Sequence, residues 1–209
     1  MAVEIINMKY AILDIETTGG KYNEEGITEV AIYQFDGNQI TDQFISLVNP
    51  EKSIQAFVVK LTGITDKMVI GAPKFHEIAK RIIEITEDCI LIAHNAQFDY
   101  RILKTEYSRL GYEYQRKTLC TVDLSKKLIP DMESYSLGKL VRALGIPVSD
   151  RHRANGDALA TLKLFKLLLS KEADHQTISE LTRSENTGIL TNKQVDLLDQ
   201  IPNETGLVS

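Results

Sequence analysis

No apolar run in the 209-residue chain approaches the roughly 20 residues that a membrane-spanning helix needs. The first ten residues, MAVEIINMKY, also lack the basic segment and long apolar stretch of a secretory leader, so the chain is expected to stay in the cytoplasm. Cysteine is scarce: Cys89 and Cys120 both sit inside apolar, strand-like runs, where a free thiol behaves as a small hydrophobe and no disulfide framework is implied. There is no internal repeat and no low-complexity tract. An excess of positive charge is missing as well, the formal net charge being -5. That deficit lies mostly at the end: residues 171–209 hold three basic and seven acidic residues, leaving 21 basic against 22 acidic in residues 1–170. A nearly neutral body, with its basic residues concentrated after position 100, permits contact with a few phosphates but excludes a long duplex footprint.

What is present is an ordinary globular composition, 43% hydrophobic and 25% charged. It reads as one domain over residues 1–170, followed by a polar linker or tail at 171–209 holding at most one or two short helices. The central stretch is Tyr10 to Gly20, YAILDIETTGG. Ala11, Ile12, Leu13 and Ile15 read as a buried strand. Side chains on a strand alternate faces, so Asp14 and Glu16 leave the same face side by side before Thr17, Thr18, Gly19 and Gly20 end the strand. Two readings fit this pair: a hard divalent cation between the carboxylates, or a solvated strand end with two surface acids.

The segments 27–35 and 40–48, joined by Asp36 to Gln39, are expected to form a hairpin. A loop region containing Leu61 to Thr65 follows, with a turn at Gly63, and residues 73–85 show helical spacing with Pro73 in the first turn. Cys89 to Ala93 is a short buried strand of the parallel type. Asn95 is placed to cap a helix running to about Leu110 and closed by Gly111, with Asp99 in its first turn. Asp99 there is either a ligand group at the carboxyl edge of a parallel sheet or a plain helix-dipole acid. His94 reads as a packed histidine satisfied by backbone, ahead of a group that touches a ligand. Residues 114–121 read as a last strand, 122–128 and 136–144 as short helices, and 158–169 as a long apolar helix. His152 and Asp157, five apart, would point about 140° apart on one continuous helix. They meet only if His152 sits in the loop before the helix, a late start that Asn155 and Gly156 would allow.

Taken together, the segments DIETTG, HNAQFD and HRANGDA resemble, in order, the three motifs of the DEDDh branch of the DnaQ-like 3′-to-5′ exonucleases. The resemblance covers roughly residues 8–169, and LTGIT at Leu61 to Thr65 also looks like that family's segment between motifs. It implies an α/β, ribonuclease H-like fold with a five-stranded mixed sheet and helices on both faces. Asp14, Glu16, Asp99 and Asp157 match the family's four metal-site acids, and His152 its general base. Two ions, Mg²⁺ or Mn²⁺, would be held with Asp14 bridging, Glu16 and Asp157 on one ion and Asp99 on the other. Such a pair suits phosphodiester hydrolysis, which needs an activated water and a stabilised leaving oxygen.

The same resemblance implies that Thr17 and Thr18 approach the terminal nucleotide, along with His94 and Asn95, and that Phe98 packs near its base or sugar. Phe98 also fits helix-start core. Leu61 and Ile64 are candidates to wedge the terminal base, or else buried loop anchors. The expected activity is release of nucleoside 5′-monophosphates from the 3′ end of DNA, in proofreading or repair. RNA trimming and oligoribonucleotide degradation are the alternatives, with a catalytically silent binding module behind them. Gln194 to Leu198, QVDLL, resembles the short peptide that grips bacterial sliding clamps, and a proofreading role would call for a polymerase in trans.

Overall fold

The computed structural model describes residues 8–172 and 175–184. The elements in the first half are β1 (Lys9–Thr17), β2 (Ile27–Phe35), β3 (Ile40–Leu47), α1 (Ala56–Thr62), α2 (Asp66–Val69), α3 (Phe75–Ile85) and β4 (Cys89–Ala93). They continue with α4 (Ala96–Arg109), β5 (Lys117–Cys120), α5 (Thr121–Leu128), α6 (Leu137–Ala143), α7 (Ala154–Ser170) and α8 (Gln176–Leu181). The strands form one mixed sheet in the order β3-β2-β1-β4-β5. β2 lies antiparallel to β1 and β3 antiparallel to β2, whereas β4 runs parallel to β1 and β5 parallel to β4. This is the ribonuclease H-like arrangement implied by the motifs. Among the described residues no helix is long and apolar enough to cross a membrane.

The alternation of β1 splits the core in two. Ala11, Leu13 and Ile15 pack with Phe75, Ile78, Ile82, Ile102, Leu103 and Tyr107 of α3 and α4. Tyr10 and Ile12 pack on the other face with Leu124, Leu140, Ala158, Leu162 and Phe165 of α5, α6 and α7. A strand covered on both faces needs apolar side chains at both parities, which is why β1 reads as a nearly continuous hydrophobic run up to Asp14. Asp14 and Glu16 share the parity of Tyr10 and Ile12 and so open toward α7.

Several expected boundaries shift, each for a local reason. Leu61 lies in α1 rather than in a loop, the helix ending on Gly63, whose φ of +73° and N–H bond to Val59 make a left-handed cap. α3 begins at Phe75 with Lys74 as its N-cap, so Pro73 precedes the helix. β5 starts at Lys117 rather than Tyr114, because the Tyr114 ring turns into the core and stacks on Tyr107 with centroids 4.5 Å apart. α7 starts at Ala154, four residues before the expected start at 158, so Asn155 and Gly156 lie inside its first turn. The packed body also passes Ser170: Ile178 of α8 is buried with the α7 core, and Arg183 exchanges backbone hydrogen bonds of 2.8 and 2.9 Å with Thr118 on β5. The segment Gln194 to Leu198 lies outside the described residues.

Candidate active site

Asp14 and Glu16 stand near the carboxyl end of β1, the central strand, and Asp157 stands on the first turn of α7. One carboxylate oxygen from each of the three lies within 4.8 Å of the others. Asp99 arrives from the other layer, on the first turn of α4, and is not part of that compact group. Its Oδ1 accepts the backbone N–H of Ile15 at 3.1 Å, which fastens the second motif to the first.

Crowding anions in a cleft poor in water makes them hold protons. Burial, followed by repulsion from Asp99, Glu16 and Asp157, raises Asp14 well above the usual carboxylate range, Arg151 opposing this. Burial, then Asp157 and Glu29, pushes Glu16 up to about 7. Burial takes Asp99 to about 8 against the lowering effect of its backbone hydrogen bonds. Asp157 is raised too, by burial, with Arg151 opposing. Hard oxygen donors that are desolvated and mutually repelling are what a divalent cation relieves, so the residues present fit Mg²⁺ or Mn²⁺.

His152 lies in the loop before α7, half-buried, with its backbone at φ +63°. Its N–H donates to Asp157 Oδ2 at 3.2 Å, so base candidate and acid are fixed to each other through the main chain. The loop then crosses the helix start very closely. A Cβ added to Gly156 would sit 2.1 Å from the carbonyl oxygen of Asp150 and 2.5 Å from that of Ser149, and only glycine leaves room. In the sequence Gly156 reads as a marker of a late helix start; in the fold it is the point of close approach.

Further residues hold this corner, of which Arg151, Glu29 and Tyr33 lie outside the three motifs. Arg151 donates to Asp157 Oδ1 and places positive charge among the acids. Glu29 on β2 accepts from Arg153 and from the backbone N–H of Ala154. The Tyr33 hydroxyl donates to Asn155 Oδ1. The available signal was Glu29 itself, the one charged side chain in a strand, ITEVAIYQF, that is buried on both faces.

The remaining candidates divide. His94 is a satisfied histidine: Nδ1 pairs with the Thr121 hydroxyl at 2.9 Å and Nε2 with the Tyr135 carbonyl at 2.8 Å, leaving no ring nitrogen for a ligand. Burial lowers its pKa. Thr18 is buried, its hydroxyl donating to the Gly19 carbonyl and accepting from Gly26 N–H, so it shapes the turn rather than facing a nucleotide. The Thr17 hydroxyl accepts from Gly19 N–H at 3.3 Å. Of the two wedge candidates, Ile64 is fully buried among Ile54, Val58 and Val69 as a loop anchor, whereas Leu61 is 52% exposed. Asn95 starts α4 in a left-handed conformation without a side-chain cap bond, correcting its capping role, and its side chain is exposed. Phe98 is half-buried against the core under α4.

The family model described as "Exonuclease" matches residues 11–165. Over 189 residues the chain is 33% identical to "DNA polymerase III PolC-type" of Caldanaerobacter subterraneus subsp. tengcongensis, covering 90% of this chain and 13% of that protein. Over 163 residues it is 34% identical to "3′-5′ exonuclease DinG" of Staphylococcus aureus, covering 78% of this chain and 18% of that protein. The chain thus spans less than a fifth of the length of these relatives. Among solved structures it is similar to Exonuclease X in complex with 5′ overhanging duplex DNA, with 26% identity, TM-score 0.63, and coverage of 79% and 93%. The nuclease domain of 3′hExo, a DEDDh family member bound to rAMP, shares the fold at 17% identity and TM-score 0.71, covering 89% of this chain and 100% of that one.

Proposed function

The chain belongs to the exonuclease family, and from that premise we propose that it removes nucleoside 5′-monophosphates stepwise from the 3′ end of a DNA strand. One observation carries this reading: the Asp14, Glu16 and Asp157 oxygens lie within 4.8 Å of one another beside the loop that bears His152. Two divalent cations bound there, Mg²⁺ or Mn²⁺, would supply Lewis-acid stabilisation of the charge on the attacking and leaving oxygens. Asp14 and Glu16 on β1 and Asp157 on α7 would hold them, with Asp99 of α4 contributing. An imidazole nitrogen of His152 takes the proton of the attacking water as general base. Leu61 and the exposed Asn95 orient the terminal nucleotide. DNA is favoured over RNA as substrate because the relatives of 33% and 34% identity are a DNA polymerase III and DinG, which fits proofreading or repair.

Digestion of 5′-labelled DNA and RNA single strands of equal sequence, with Mg²⁺ or Mn²⁺ and beside Asp14→Ala, tests this. Metal-dependent stepwise shortening that is faster on DNA and absent in the variant is expected. Preference for RNA would move the substrate assignment, and no shortening of either strand would overturn the enzyme reading.

A further inference from the structure

The turn after the first motif carries a large exposed ring. Tyr22 is 73% exposed, where a tyrosine side chain normally finds cover. It is nevertheless held. The guanidinium of Arg101 lies over the Tyr22 ring, 4.3 Å from its centroid, and 5.4 Å from the centroid of Phe98, making a Phe98–Arg101–Tyr22 stack along α4. Arg101 is itself fixed: its Nη2 and Nη1 donate to the two carboxylate oxygens of Glu25 at 2.8 and 3.2 Å, and Nη1 also donates to Asn23 Oδ1 at 3.1 Å. Arg109 fastens the same loop by donating to the carbonyls of Glu25 and Asn23, each at 2.8 Å. A solvent-facing aromatic whose backing and loop are both tied down is organised before any ligand arrives.

We propose that Tyr22, backed by Arg101, is a stacking platform for an unpaired base of the nucleic-acid strand, upstream of the terminal nucleotide. Phe98, at the inner end of the stack, is the residue before Asp99 in the first turn of α4, so the platform and that acid are carried by the same helix start. Its charge identifies the kind of contact. Glu25 neutralises Arg101, so the platform offers a ring face rather than a free cation, and it binds bases through stacking instead of phosphates through ion pairing. Every base has such a face, so the contact is tolerant of sequence. The inference rests on the exonuclease reading for its ligand.

The test is fluorescence anisotropy of a labelled single-stranded dT12 with phosphorothioate linkages, which resists cleavage, in Ca²⁺ over a salt series. Tyr22→Ala is expected to weaken binding about tenfold, Tyr22→Trp to restore it and Tyr22→Leu not to. The slope of log Kd against log salt stays the same in all three, because no phosphate contact is lost. Equal affinity of Tyr22→Ala and wild type, or no binding by wild type, would overturn the platform. A changed slope would overturn it as well, replacing stacking by an ionic contact. Hydrolysis of thymidine 5′-monophosphate p-nitrophenyl ester by the wild type in Mn²⁺ is measured in parallel. A Tyr22 effect on dT12 with no hydrolysis of the ester would leave the platform standing while the exonuclease reading fell.

Discussion

Glu29 and Arg153, from β2 and the N-cap of α7, form a two-bond ion pair in which Nε and Nη2 donate to the carboxylate at 3.0 and 2.5 Å. Oε2 of the same glutamate accepts the Ala154 backbone N–H at 2.8 Å. The pair does two things at once: it satisfies an orphan amide at the start of α7, and it neutralises a carboxylate that stands opposite Glu16 in the β1–β2 register. Glu29→Ala is therefore expected to lower stability by about 2–3 kcal/mol, less than a fully buried pair would lose because Arg153 is partly exposed. Urea unfolding checks this. Glu29→Gln, which keeps an acceptor for Ala154, should recover part of the loss.

Gly156→Ala tests the close approach of the loop to the start of α7. Alanine favours the helix by about 1 kcal/mol over glycine, but its Cβ would meet the main chain of Asp150, which has to move. The loop that carries His152 moves with it. Turnover is expected to fall on the order of 100-fold, as small misplacements of reacting groups do. Circular dichroism should change little, whereas the unfolding midpoint should fall, because displacing a main chain 2.1 Å from the new Cβ costs more than the helix gain returns.

In EDTA the acidic cluster makes stability fall as pH rises. Glu16 at about 7 and Asp99 at about 8 lie above their unfolded values near 4. The folded state thus binds more protons in this window, and the stabilisation present below about pH 4 is lost as pH climbs through 7 and 8. Over pH 6 to 8 the metal-free melting temperature should drop, and added Mn²⁺ should raise it most at pH 8. Asp14→Asn should raise the metal-free melting temperature while abolishing hydrolysis. A metal-free melting temperature that rises from pH 6 to 8 would count against the electrostatic account.

The two thiols should differ in reactivity. Burial pushes Cys89 up to about 11, while Cys120 is half-buried at the end of β5. Reaction with a disulfide reagent at pH 8 is expected to consume one thiol per chain in the native state and the second only on unfolding. Peptide mapping should place the first label at Cys120.

Much of the fold is legible in the sequence because local chemistry states it. The apolar runs of β1 and β4, the Asp36 to Gln39 turn and the helical spacing of α3 all specify structure within a few residues. The five motif residues stand out only through the resemblance of three segments taken together, since each alone also fits a surface acid, a helix-dipole acid or a solvated histidine. What escapes is what depends on partners distant in the chain. Nothing near Tyr114 says that its ring will stack on Tyr107, nothing near Arg151 says that it will pair with Asp157, and His94 gives no local sign that Thr121 and Tyr135 will satisfy it. Gly156 was misread because a glycine early in a helix looks the same whether it breaks the helix or admits a neighbouring main chain.

The separation of contacting residues also carries a consequence for synthesis. Asp99 joins Ile15 across 84 positions, and Glu29 joins Ala154 across 125. The segment bearing His152 and Asp157 is the last of the three motif segments to leave the ribosome, and it seats itself on strands made long before. An incomplete nascent chain or a fragment ending ahead of His152 lacks one of the clustered acids and the histidine together. The proposed nuclease is thereby inert until α7 has emerged and packed, with no inhibitor required to protect nearby nucleic acid before that point.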